Sequence, residues 1–224
     1  MAFTAIPIVL DELSPQMLSG HAGVADKRRR LRIVAARMFA ERGVAATSLQ
    51  GLARHAGIGA SRVGSYYDGK QDLLAEVMHD HLAALGLRID IAAAAEAEAH
   101  PEDQLIAMVE AFLEGVQADR ASHLVLLQET KSLTVAERRM VASRYKLLAY
   151  AFGDPLVAAV PALRPRPALT KAAALSLATL ASGSAVWFRP TGAVDLPTYA
   201  QMLVQMTLAG ARGLRRRRRR AVSG

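Results

Sequence analysis

The run Ala56-Gly57-Ile58-Gly59 places a tight, glycine-bearing turn between two short amphipathic segments, and no other feature constrains this chain as much. Gly57 permits the left-handed backbone that a tight turn between helices needs. Two helices joined by a turn of three or four residues form the arrangement that puts a second helix into the major groove of DNA. Function should therefore be decided within residues 27–77.

Helical periodicity flanks the turn on both sides. Asp26 suits the N-cap of a helix over about 27–42, where Leu31, Val34, Ala35, Met38 and Phe39 recur at helical spacing and Gly43 ends it. Thr47 or Ser48 caps a second helix near 48–55, and a third covers about 60–66. A fourth opens at Asp68 or Gly69, carries Leu74, Val77, Met78, Leu82 and Leu85 on one stripe, and can run into the Ala-rich segment at 92–99. His100-Pro101 marks a break before a fifth helix bearing Leu105, Met108, Val109, Phe112, Leu113 and Val116. Further helices fit 120–131, 134–152, 168–188 and 197–214, while residues 153–167, with four prolines, read as a loop. The fold class is all-α.

Composition and charge agree with this. Hydrophobic residues make up 52% and aromatics only 5%, an Ala/Leu/Arg bias that favours helices over strands. The absence of cysteine excludes disulfides and thiolate metal sites and fits a reducing cytoplasm, the expected location. Residues 27–70 hold ten bases against two acids, whereas 71–214 hold twelve bases against fifteen acids. A basic block on a mildly acidic body is the electrostatic footprint of a phosphate-binding face. The apolar stretch Ala168–Phe188 carries Lys171 and many small residues, and reads as a buried helix rather than a membrane span.

From Arg30 the chain reads RLRIVAARMFAERGVAATSLQGLARHAGIGASRVGSYYDGKQDLLAEV. This resembles the N-terminal DNA-binding domain of the TetR family of transcriptional regulators. The likeness runs in order through the AAxxxFxExG helix, the TSL cap, the LAxxAG turn, the YY pair and the GKxxLL start of the next helix. It implies an N-terminal helix-turn-helix domain (27–72), followed by a helical ligand-binding and dimerisation domain (73–214). A flexible arm (1–26) and an Arg-rich tail (215–224) complete the chain.

The resemblance places Gly59, Ala60, Ser61 and Arg62 at the start of the recognition helix, with Ser65 and Tyr66 further along. Arg62 is the one side chain there able to make a bidentate contact to guanine. Thr47 and Ser48 would present a helix N-terminus to a phosphate; Tyr66 and Lys70 would contact the backbone, and Lys27, Arg28, Arg29, Arg30 and Arg32 from the preceding helix could reach the flanking backbone or the minor groove. Gly64 stands where family members carry an aromatic residue, which predicts a short recognition helix with few base contacts.

Other constellations carry less. His79-Asp80-His81 with Glu76 invites a metal reading, but histidines two apart point to different sides of a helix, and no metal site is expected. No Walker loop, GxSxG elbow or HExxH occurs, so neither an enzyme nor a cofactor is expected. Met78, Met108, Phe112, His123, Leu127, Gln128, Tyr145, Phe152 and Trp187 are candidates for a pocket taking a small apolar effector, although an ordinary core has the same composition.

The resemblance further implies a homodimer through the helices near 168–188 and 197–214, matching a palindromic operator. The reading is a dimeric regulator of transcription, more often a repressor, released from double-stranded DNA by an effector, with no membrane partner. The alternatives are a regulator without an inducer, or a basic interaction protein at the nucleoid or a membrane surface that binds anions non-specifically.

Overall fold

The computed structural model describes residues 24–189 and 191–221, with side chains described for 26–189 and 191–214. Ten α-helices and two 3-10 turns are found among these residues, and no strand. The helices are α1 (Val24–Arg42), α2 (Leu49–His55), α3 (Ala60–Val63), α4 (Lys70–Ala95), α5 (Pro101–Ala118), α6 (Arg120–Gln128), α7 (Val135–Tyr150), α8 (Gly153–Ala159), α9 (Pro167–Trp187) and α10 (Leu196–Ala221). By contacts the chain divides into two units, one through His81 with Arg120–Val141, the other Leu82–Asp119 with residues from Ala142 onward.

The first unit contains α1 to α3, the start of α4 and α6. Leu31, Ala35 and Phe39 of α1 are buried with Leu52 and Ala53 of α2 and with Leu73, Leu74 and Val77 of α4. Their spacing of three and four is what gives each short helix one inward face. α1 packs on both α2 and α6. Beneath it, His81 and His123 are buried edge to face, with Nε2 of the first 2.8 Å from Nδ1 of the second.

The second unit is built around α5, which packs against α8, α9 and α10. Leu105, Met108, Val109, Phe112, Leu113 and Val116 are all buried on it, and the Phe112 ring meets Phe152 edge to face at 6.3 Å. Gly115 lets α4 come close: a Cβ there would lie 2.6 Å from Leu85 Cδ2. α9 is the one described helix long and apolar enough to cross a membrane, and 44% of its apolar window is buried in the fold.

Several boundaries differ from the sequence reading. α1 begins at Val24, so Asp26 lies inside its first turn instead of capping it; residues 1–23 of the expected arm lie outside the described residues. α3 stops at Val63, and a turn replaces its second half. The expected loop at 153–167 contains α8 and a 3-10 turn, Pro161–Leu163. Its prolines fail to prevent this because Pro155 falls in the first turn of α8 and Pro161 opens the 3-10 turn, where a missing N–H costs nothing. The backbone of α10 stays helical through Ala221, into the Arg215–Arg220 tail.

Candidate DNA-binding face

The helix-turn-helix is fixed by caps that the local sequence supplies. Gly43 ends α1 at φ +78°, and its N–H donates to the Phe39 carbonyl at 2.9 Å. Ser48 caps α2 by accepting from the Gly51 N–H at 3.0 Å. At the other end of α2 the chain closes a Schellman motif. Gly57 N–H donates to Arg54 O at 3.2 Å and Ile58 N–H to Ala53 O at 2.9 Å, with Gly57 at φ +66°. Ile58 and Ala53 are both buried, the apolar contact that accompanies such a cap.

α3 follows at once and is a single turn. Gly59 precedes it, Val63 anchors it inward at 2% exposure, and Gly64 ends it. Ser65 then donates its hydroxyl to the Arg62 carbonyl at 2.7 Å, and the Tyr66 and Tyr67 N–H groups donate to Val63 O, so the chain keeps turning after the helix stops. Ala60, Ser61, Arg62, Gly64 and Ser65 are exposed, Tyr66 is half-buried and Tyr67 is buried. No ion pair among the described residues holds Arg62 or Arg54.

Other predicted contact residues are occupied inside the fold. Lys70 donates from Nζ to the carbonyls of Val44 (2.7 Å) and Ala45 (3.4 Å), which ties α4 to the loop between α1 and α2. Thr47 is 2% exposed and donates its hydroxyl to Gly43 O at 2.9 Å, so it faces the interior while Ser48 stays exposed. Arg30 lies 3.5 Å from Asp26 across one helical turn. Arg28 donates to Glu76 at 2.6 Å and lies over the Tyr67 ring, 5.2 Å from its centre. Arg32 bridges Glu76 at 2.5 Å and Asp80 at 2.9 Å. Burial pushes the Glu76 carboxyl up, but the two guanidinium groups outweigh it and hold it below the ordinary carboxylate range.

The structure thus brings Gly59 to Arg62, Gly64, Ser65 and the Ser48 cap to the surface and leaves Tyr66 half-buried, but Thr47 lies inside. Glu76 and Asp80 are the residues that sequence reasoning passed over in this role. Their i, i+4 spacing, which puts both acids on one face of α4 opposite a basic helix, was the available signal. His79, grouped with them in the metal reading, instead reaches Glu137 at 3.1 Å.

The nine effector-pocket candidates scatter. Met78 and His123 are buried in the first unit and Met108, Phe112 and Phe152 in the core of the second, while Leu127, Gln128 and Trp187 are exposed. Tyr145 is hydrogen-bonded to Ser182 at 2.9 Å. A cavity of about 280 Å³ in the second unit lies between α4 and α7, and none of the nine lines it.

A capped α2, a glycine turn and an exposed, basic α3 define a DNA-binding protein of the helix-turn-helix class. Residues 33–77 match the family profile of bacterial regulatory proteins of the tetR family, and residues 98–211 match the tetracyclin repressor-like C-terminal domain. The chain belongs to the TetR family of transcriptional regulators.

Among its relatives is the HTH-type transcriptional repressor KstR2 of Rhodococcus jostii (strain RHA1), 26% identical over 202 residues that span 88% of this chain and 97% of that protein. A TetR-family regulator from Bordetella parapertussis 12822 shares the fold with a TM-score of 0.71 and 24% identity, over 81% of this chain and 93% of that one. AibR, solved in complex with isovaleryl coenzyme A and operator DNA, does so with a TM-score of 0.67 and 21% identity, over 80% and 97%.

Proposed function

We propose that this protein is a homodimeric, cytoplasmic repressor that binds a palindromic operator through residues 27–72 and leaves it when a small molecule binds within residues 73–214. The observation that carries the reading is the exposed α3 behind a Schellman turn, presenting Arg62 with no ion pair among the described residues. A guanidinium held at a helix start can pair bidentately with guanine O6 and N7. Ser48, Ser61 and Tyr66 supply hydroxyls for phosphates around it. Because α3 is one turn long, few bases are read directly, and DNA shape carries part of the specificity.

Dimerisation is supported by α9 and α10. Exposed Ala172, Ser176, Leu180 and Trp187, with half-buried Gly183 between the last two, recur at helical spacing along one side of α9, and exposed Met202, Met206 and Gly213 do so along α10. Leu180 is 49%, Trp187 53% and Met206 57% exposed. Small and apolar residues in such rows suit a close helix-to-helix contact with a second copy. The effector reading is supported by the relatives: AibR was solved with both a coenzyme A thioester and operator DNA. An effector that favours one spacing of the two recognition helices lowers operator affinity by its differential binding to the two states.

In vitro selection of bound duplex from random DNA tests this. The expected product is a palindrome with half-sites about one helical turn apart. Recovery of no site bound more tightly than scrambled duplex at physiological salt would sink the reading.

A further inference from the structure

The last helix runs past the core into a block of like charge. Ala211 is buried, and Arg212, Gly213 and Leu214 after it are all exposed. Three consecutive helical positions span roughly 200° of the circumference, so most of the surface of α10 faces solvent before the run begins. The backbone stays helical through Ala221, and Arg215–Arg220 place six arginines in succession along it.

The nearby chain does not answer that charge. No Asp or Glu occurs from Leu196 to Gly224. Glu102, in the first turn of α5, is engaged by Arg212 and Gln205, and hydrogen bonding from Arg212 holds its carboxyl below the ordinary range. Within the run every i,i+3 and i,i+4 pair is a pair of like charges, which destabilises a helix. An external polyanion relieves this repulsion.

Geometry chooses the polyanion. Successive helical residues rise about 1.5 Å and turn about 100°, so the run sets a positive charge at each step and on every side of the axis. B-DNA carries one negative charge per about 1.7 Å of its own axis. Its major groove is about 12 Å wide, admits a helix of about 10–12 Å diameter and has phosphates along both walls. A planar anionic surface meets only the positions on one side, and the run has no apolar residue to insert into a bilayer.

We propose that Arg215–Arg220 form a second DNA-binding element, independent of sequence, that lies in the major groove of a duplex and contacts its phosphates. This goes beyond the operator reading, because it needs neither a palindrome nor an effector.

The test measures the affinity of the full chain for a scrambled duplex as a function of salt. Arg215→Gln/Arg217→Gln/Arg219→Gln keeps helix propensity and should lower the slope of log affinity against log salt by about 2–3. A chain ending at Leu214 removes all six charges and should lower it by about 5. Arg139→Gln/Arg144→Gln/Lys146→Gln takes three exposed charges from α7 instead, and should change it by less than about 1. Equal changes for the two triple variants overturn the proposal, because net charge alone then explains the binding. An unchanged slope in the chain ending at Leu214 overturns it as well.

Two further probes test the groove. Duplex RNA of the same sequence has a deep, narrow major groove, so removal of the tail should weaken binding to it less than to DNA. Vesicles of phosphatidylglycerol and phosphatidylcholine in equal parts should bind the wild type more weakly than the DNA duplex at matched phosphate and salt. An equal loss on RNA, or tail-dependent binding to vesicles as tight as to DNA, contradicts seating in a DNA groove. The chain ending at Leu214 should keep the preference for the palindrome over scrambled duplex; loss of that preference contradicts the independence from sequence.

Discussion

Lys70 Nζ donates to the Val44 carbonyl at 2.7 Å, so the first residue of α4 holds the loop that joins α1 to α2. The contact spans 26 residues of sequence and closes the base of the helix-turn-helix. Hydrogen bonds from a charged donor are worth roughly 1.5–3 kcal/mol when partly buried. Lys70→Met should therefore lower stability by about 1–2 kcal/mol. In DNA binding it should weaken preferred and random duplexes alike, because the loop presents Ser48 without reading bases. Thermal unfolding and paired titrations check both halves; selective loss on the preferred site would contradict them.

The two glycines around α3 should respond oppositely to the same substitution. Gly57 sits at φ +66°, and a Cβ there would meet nothing within 4 Å, so the cost of Gly57→Ala is conformational, about 1–2 kcal/mol. Gly64 sits at φ −62°, again with open space, so Gly64→Ala should stabilise by about 0.4–1 kcal/mol and lengthen α3. Chemical denaturation of the pair decides, and shifts of the same sign would refute this account of the turn.

Glu76 should make stability fall in acid. Its folded pKa lies below the ordinary 4.5, since Arg28 and Arg32 outweigh the burial that raises it. A depressed carboxyl contributes stability above the unfolded value and loses it as pH falls through the folded one. The wild type should thus lose stability below about pH 4.5, and Glu76→Gln should show a shallower slope there. The same variant frees Arg28 of its acid and leaves Arg32 with Asp80 alone, so its affinity for random DNA should rise and depend more steeply on salt. Identical urea midpoints across that pH range in both proteins would remove Glu76 from this role.

The apolar row on α10 should control assembly. Met206, 57% exposed, and Met202, 46%, lie one turn apart on the same side. Met206→Arg should convert a dimer to monomers while leaving the helicity of the chain intact, because the side chain supports no core in the single protomer. Sedimentation checks the mass. A dimer that persists in Met202→Arg/Met206→Arg would place the interface elsewhere.

Local chemistry made the turn readable in advance. Gly57, Ser48 and Gly43 act on backbone groups within five residues, so their roles follow from residue type and spacing. The cations of α1 are a different case. Arg28 and Arg32 look identical to DNA-contacting arginines along the chain, and their acids lie 48 and 44 residues away on α4. Only the fold decides whether such a charge meets phosphate or carboxylate. The cavity between α4 and α7 was hidden for a related reason: periodicity marks apolar faces, but where two helices leave a gap depends on Gly86 and on how they meet. Proline count misled at 153–167, because position within a helix, not number, determines what a proline breaks.

The central claim is that Arg62 reads sequence from a short, surface-presented α3. The most direct test measures the affinity of wild type and Arg62→Ala for the selected palindrome and for scrambled duplex at one salt concentration. The account predicts that Arg62→Ala loses about 1–3 kcal/mol on the palindrome and far less on scrambled DNA. Equal losses on the two duplexes would contradict it, leaving Arg62 a phosphate contact and the sequence reading elsewhere.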